Sequence, residues 1–244
     1  MSLDDNIGIR RDGGAVGDQE PFTAVTGERL RESMYINIRG QSFIPNRALS
    51  HVLDLRTIVE ILAQYHLGSV ADKRVEQAAE NIRKGSDGRK TLLKVFAILI
   101  MLNIPNDILN FIDRQMDDSF LPMSSASPSS KAATNGDDEK RIVAWSSVTA
   151  HWTLYQRDSF FRAQWSVMVP VFTRHGEVRH YKLSAYHILP FLPVAFPELS
   201  SESQSARDLE GDFRPNAHSG FGEVTQVSIH PDHYDFESLD VRPG

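Results

Sequence analysis

Apolar residues recur at helical spacing through the first half of the chain. Leu49, Val52, Leu55, Val59 and Leu62 follow at three- and four-residue steps, which places them on one helical face. Ile58 and Ile61 widen that face, Asn46 supplies an N-cap and Gly68 a terminator. Val75, Ala78, Ala79 and Ile82 predict a second, shorter helix ending at Gly85. A third begins near Ser86 or Asp87, runs through Leu92, Val95, Phe96 and Leu99, and is stopped by Pro105. Asn106 caps a fourth, with Asp107 complementing the positive helix end and Ile108, Ile112 and Met116 facing inward. Together they predict a small helical domain over 34–122, none of whose faces carries a polar cluster with catalytic or ligand spacing.

The flanks lack this periodicity. Residues 1–33 mix Gly, Asp, Glu and Arg and read as a mobile tail. Residues 123–140, MSSASPSSKAATNGDDEK, hold almost nothing that can be buried and read as a linker. Ser127-Pro128 within it fits a proline-directed phosphorylation site, or is an accidental pair in a disordered stretch. From 141 to 197 the chain turns aromatic, with Trp145, Trp152, Tyr155, Phe160, Phe161 and Trp165. Phe161 and Trp165 are placed to share a helix face after Asp158 as cap. Trp165–Phe172 is rich in β-branched and aromatic residues and reads as extended, with Pro170 favouring an edge. A turn at His175-Gly176 and a return arm from Val178 to Leu183 predict a β-hairpin. Residues 198–211 read as a second linker. The pattern describes an α+β protein: a helical domain, an aromatic α+β connector and a C-terminal β segment over 212–244.

Composition narrows the chemistry. With 26 Lys+Arg against 32 Asp+Glu the 244-residue chain carries a formal charge of −6, which argues against a nucleic-acid binder. The aromatic cluster lacks a basic stripe, so it reads as a core or a protein-docking surface in preference to a stacking platform. There is no Cys, which excludes a disulfide framework, a thiol nucleophile and cysteine-based metal sites, and fits an intracellular, cytoplasmic or nuclear protein. The most apolar stretch, Val95–Leu102, is far shorter than the ~20 residues of a spanning helix, so no membrane association is expected.

The C-terminal segment carries the most specific pattern. Ser219-Gly220-Phe221-Gly222-Glu223-Val224 lies between two potentially extended stretches, with Val224, Val227 and Ile229 suited to a strand. A glycine turn between strands lets backbone N–H groups approach phosphate oxygens, and a following valine can pack on a base, as in the nucleotide loop of protein kinases. An ordinary glycine-containing hairpin fits the same residues. His230 and His233 stand three apart, as do Asp232 and Asp235, but a metal needs three or four convergent ligands. A solvated loop between strands is expected there, and no metal site.

With Ile229-His230-Pro231-Asp232-His233-Tyr234-Asp235-Phe236 following it, this loop resembles the opening of the kinase fold in a fungal protein-kinase-like family. Upstream, Lys94–Leu99, Asn106–Ile112, Leu121-Pro122, Phe160, Gln164-Trp165, Pro170-Val171-Phe172 and Ile188–Phe191 resemble it in the same order, from about Tyr35 onwards. The resemblance implies a degenerate nucleotide-binding loop of Ala217, Ser219, Gly220, Phe221, Gly222 and Val224. Gly222 matches the third glycine, Phe221 the aromatic at the tip and Val224 the valine over adenine; Ala217 and Ser219 stand at the first two glycine positions. ATP and Mg²⁺ are implied for a full-length kinase only. No Lys follows Lys182, and neither an H-R-D nor a D-F-G motif is present, so catalysis and a cofactor are not expected of this chain alone. The chain reads as a truncated serine/threonine-kinase-like protein, with 212–244 poorly ordered. The alternative is a non-catalytic protein-interaction scaffold that docks partners through its helical or aromatic segments, with Trp145, Trp152 and Trp165 exposed.

Overall fold

Eleven residues whose polar neighbours assign them to a tail form the first helix instead: α1, Phe22–Glu32. The computed structural model describes residues 22–67, 72–85, 90–123, 143–173, 183–193, 216–219 and 222–235. In α1 the buried positions Thr23, Thr26, Gly27 and Leu30 follow helical spacing, but only one of them is a large apolar residue. Gly27 faces α5, Leu93–Met101, where a Cβ would meet the Ile100 side chain at 3.7 Å, an ordinary contact.

The single helical face expected from Asn46 is split in two. Helix α2 spans Asn46–Val52 and α3 spans Leu55–Leu62, followed by a π-helical turn over Ala63–Leu67. Asp54 causes the break, since its carboxylate accepts from the Thr57 N–H at 2.7 Å and starts a new helix. That bond also holds the Asp54 carboxyl below its usual range. Pro45, and not Asn46, occupies the cap position of α2, with no side-chain cap bond. Arg83 donates to the carbonyls of Ser50 at 3.1 Å and Leu53 at 2.8 Å, closing the end of α2 from a neighbouring helix. That helix, α4 (Lys73–Lys84), buries Val75, Ala79 and Ile82 as its periodicity predicts and ends at Gly85 with φ +73°.

Helix α5 is apolar nearly all round and buried from Leu93 to Ile100, apart from Lys94. It is a central core helix; among the described residues no helix is long and apolar enough to cross a membrane. The expected start at Ser86 or Asp87 lies outside the described residues. The observed N-terminus is closed by Asp118, which accepts from the Thr91 hydroxyl (2.7 Å) and from the N–H groups of Lys94 (3.2 Å) and Val95 (3.1 Å). The helix ends before Pro105 reaches it, at Met101, with Asn103 at φ +57°; Pro105 opens a 3-10 turn instead. Helix α6, Ile108–Asp113, has no side-chain cap bond. Asp107 turns to the aromatic segment, accepting from the Trp152 indole and lying 3.0 Å from His151 Nε2.

The aromatic segment completes the same core. Helix α7 (143–148) and α8 (Leu154–Val167) bring Trp145, Val148, Trp152, Phe160 and Val167 against α1–α6. Trp145, Trp152 and Phe160 contact one another at ring separations of 5.1–5.4 Å, and Phe111 stacks on Phe160 at 6.4 Å. All three tryptophans are buried, so they form core and not a docking surface. Thr153 caps α8 through a reciprocal box with Gln156, whereas Asp158 lies inside the helix and pairs with Arg162 at 2.9 Å. Phe161 and Trp165 do share a face, 6.3 Å apart. Trp165–Val167 are helical, so the extended reading of Trp165–Phe172 holds only for its far end.

The strands are short, and among the described residues they form four two-stranded sheets. β1 (Tyr35–Ile36) pairs antiparallel with β2 (Ser42–Phe43). β3 (Phe172–Thr173) runs parallel to β8 (Tyr234–Asp235), and β4 (Phe191–Pro193) antiparallel to β7 (Val227–Ile229). β5 (Asn216–Ser219) and β6 (Gly222–Thr225) form the last sheet. The molecule is an α+β fold. The return arm expected over 178–183 lies, but for Leu183, outside the described residues, as do 1–21 of the expected tail and most of both linkers.

Candidate functional site

Four of the six positions assigned to the glycine loop lie on a hairpin. The register of β5 and β6 sets Ala217 opposite Val224 and Ser219 opposite Gly222, so only Gly220 and Phe221 separate the strands. Those two lie outside the described residues. Two-residue connections suit the twist of paired strands, and glycine in the first position meets the backbone demand of one common type. One residue past β6 the chain enters β7 and leaves the hairpin for β4. The described strands therefore do not join the hairpin and its successor into one sheet of the kinase N-lobe kind.

The stretch after the hairpin is not wholly solvated as expected: His230 and His233 are buried, while Ser228, Pro231, Tyr234 and Asp235 stay exposed. In β7, Val227, Ser228 and Ile229 pair with Pro193, Leu192 and Phe191. The His230 N–H then donates to the Pro190 carbonyl at 2.9 Å. A 3-10 turn over Pro231–His233 places both imidazoles against Phe43, with ring separations of 5.8 Å to His230 and 5.5 Å to His233; Tyr35 meets His230 at 4.4 Å. His233 is fully buried and its Nδ1 lies 3.1 Å from the Pro170 carbonyl; a carbonyl only accepts, so Nδ1 carries the proton. Among the described residues its Nε2 has no hydrogen-bond partner. The His230 Nδ1 accepts from the Asp232 N–H at 3.2 Å. Burial pushes both imidazoles below the ordinary histidine value, against the opposing charge of Asp232.

Polar contacts lock the segment at its edges. The Arg47 N–H donates to one Asp232 carboxylate oxygen at 3.1 Å, and Arg47 Nε lies 3.3 Å from the other. Asn37 donates to the Leu189 carbonyl at 3.0 Å, and Ile38 N–H to the Phe191 carbonyl at 2.8 Å, so the β1–β2 loop grips the strand that β7 pairs with. Among the described residues no three His, Asp or Glu side chains converge as metal ligands. His187 is engaged with Ser184, whose N–H donates to its Nδ1 at 2.9 Å.

Periodicity does not reveal these anchoring residues. Asn37, Phe43, Arg47 and Pro170 acquire their roles through partners far along the chain, and only the I-H-P-x-H pattern hints that the histidines are placed. Comparison with protein-family models, curated proteins and solved structures finds no match to this chain.

Proposed function

We propose that the chain is a positioning module of a fungal protein-kinase-like polypeptide, in which the helical unit and aromatic connector anchor a degenerate glycine hairpin. The observation that carries this reading is the clamp on Val227–Asp235, immediately after the hairpin: two strand pairings, the buried His233 and the Arg47–Asp232 pair hold it. The quoted residue patterns, with Gly222 and Val224 at the loop positions, support the kinase-like side of the proposal. In a form that also carried the lysine, H-R-D and D-F-G motifs, Ala217, Ser219, Gly220, Phe221, Gly222 and Val224 would form the loop that holds ATP, and Mg²⁺ would supply charge neutralisation to its phosphates. Phosphoryl transfer also requires a strand lysine, a catalytic aspartate and a metal-holding aspartate, none of which has a matching motif in this sequence.

Hydrogen exchange and nucleotide titration test the proposal together. Asp232→Ala, which removes both the Arg47 N–H bond and the ion pair, is expected to speed amide exchange in Val227–Ile229 while leaving α5 protected, and Mg-ATP is expected to give no saturable thermal shift. Unchanged exchange would remove the clamp. Saturable, Mg²⁺-dependent stabilisation that Gly222→Val abolishes would make the chain a nucleotide binder in its own right.

A second reading, a protein-interaction scaffold without nucleotide, is favoured by one observation. Leu154 and Tyr155 open α8 at 83% and 80% exposure, unusual for large apolar side chains. Self-association seen by sedimentation and removed by Leu154→Ser with Tyr155→Ser would favour that reading.

A further inference from the structure

Between α2, α4 and the start of α5 lies a cavity of about 420 Å³ whose lining includes Asn46, Arg83, Lys84, Thr91, Lys94 and Asp118. The charges here are not equivalent. Asp118 uses its carboxylate on the Thr91 hydroxyl and the N–H groups of Lys94 and Val95. Arg83 is fixed by the Ser50 and Leu53 carbonyls, and Lys84 pairs with Glu80 at 3.2 Å on the exposed side of α4. Lys94 is half-buried, yet among the described residues no acceptor oxygen lies within hydrogen-bond or ion-pair distance of its ammonium.

The ammonium keeps some contact with solvent, yet the partial burial of Lys94 without a partner makes its charge costlier than in open water. Burial accordingly holds Lys94 below the ordinary lysine range, opposed through space by Asp118. An apolar residue in its place would avoid that cost. An adjoining hollow shares Asn46, Ser50 and Arg83 and adds Arg29, Asp54 and Arg47, the last already paired with Asp232. Three cations face one already hydrogen-bonded carboxylate in the first cavity, the reverse of the chain's formal charge of −6. Its volume lies within the ~300–1,000 Å³ of small-molecule sites.

We propose that this cavity binds a small phosphate-bearing anion, with the Lys94 ammonium as its principal contact, Arg83 and Lys84 as flanking charges and the Asn46 amide as a neutral donor. The site is separate from the glycine hairpin and does not depend on the nucleotide reading. Charge-assisted hydrogen bonds to such an anion would supply the partner that Lys94 lacks.

Inorganic phosphate and O-phosphoserine, each titrated at constant ionic strength against chloride, test the proposal by ¹H–¹⁵N spectra and thermal shift. Saturable shifts at the amides of Thr91–Val95 are expected with both probes. Lys94→Met keeps the aliphatic stem and is expected to fold at least as stably, with affinity reduced about tenfold or more. The exposed Lys84→Met should weaken binding a few-fold without touching the core, and Gly222→Val should leave it unchanged. The proposal is overturned if the parent shows no saturable shift or responds equally to chloride. It is also overturned if Lys94→Met and Lys84→Met both bind like the parent.

Discussion

Gln164 gives the sharpest test of how the connector is joined to the helical core. Its side chain is fully buried on α8 and closes a two-way bond with one backbone residue: the Met123 N–H donates to Oε1 at 2.7 Å, and Nε2 donates to the Met123 carbonyl at 3.0 Å. Gln164→Met nearly preserves the volume but leaves a buried N–H and a buried carbonyl without partners. Each orphaned group costs about 1–3 kcal/mol. The apolar side chain gains back about 1–2 kcal/mol by burial. At mid-range, two orphaned groups cost about 4 kcal/mol against about 1.5 regained, so the expected net loss is about 2.5 kcal/mol, or about 5–10 °C in Tm for a chain of this length. Urea unfolding followed by the fluorescence of the buried Trp145, Trp152 and Trp165 measures it. The exposed Gln77→Met serves as control and should stay within about 0.5 kcal/mol of the parent. A Gln164→Met loss below about 1 kcal/mol with an unchanged denaturant slope would refute the reasoning, because water or a shifted backbone would then satisfy Met123.

Burial and backbone geometry set two further outcomes. His230 and His233 titrate below 6.5 when folded and near 6.5 when unfolded, so the unfolded chain takes up protons first as pH falls. Their contribution is intact above 6.5 and lost as pH drops through the folded-state values; Asp118, pushed up by burial, acts in the opposite sense. Urea midpoints from about pH 8 to 5 should therefore fall, and His233→Gln should flatten the slope; an equal slope in both proteins would contradict the histidine account. Gly27→Ala adds a Cβ that meets only ordinary contacts, 3.6 Å from Arg31 and 3.7 Å from Ile100. Helix propensity then dominates and the variant should gain about 0.5–1 kcal/mol. Calorimetry showing a lower Tm would mean that α1 and α5 have no room to give.

Local rules read the local features well. Helix α4 was legible because its buried residues keep strict spacing and Gly85 supplies the positive-φ terminus. The shared face of Phe161 and Trp165 was legible for the same reason. Helix α1 was hidden because its buried face is made of Thr and Gly, which carry little hydrophobic signal. The division of α2 from α3 turns on Asp54 alone, whose capping bond outweighs a continuous apolar stripe. The tryptophans show another limit: composition cannot tell a buried aromatic cluster from an exposed one, and contacts of Trp145 and Trp152 with Phe160, and of Trp165 with Phe161 and Tyr186, decide it. At the candidate site the hairpin follows from its glycines. The clamp behind it depends on strands of two or three residues whose partners lie far away, where pairing carries almost no local signature.

The clamp also sets an order of events. Arg47 and Asp232 are separated by 185 residues, whereas contacts within a helix close over four. The longer loop costs roughly 3 kcal/mol more in closure entropy, so this contact gains only after the core has formed. During synthesis at ~5–20 residues per second, the face of Phe43 that meets the two histidines waits about 10–40 s for its cover. Phe43, wholly buried at the end, is thus a transient sticky patch on the nascent chain, and its protection arrives last.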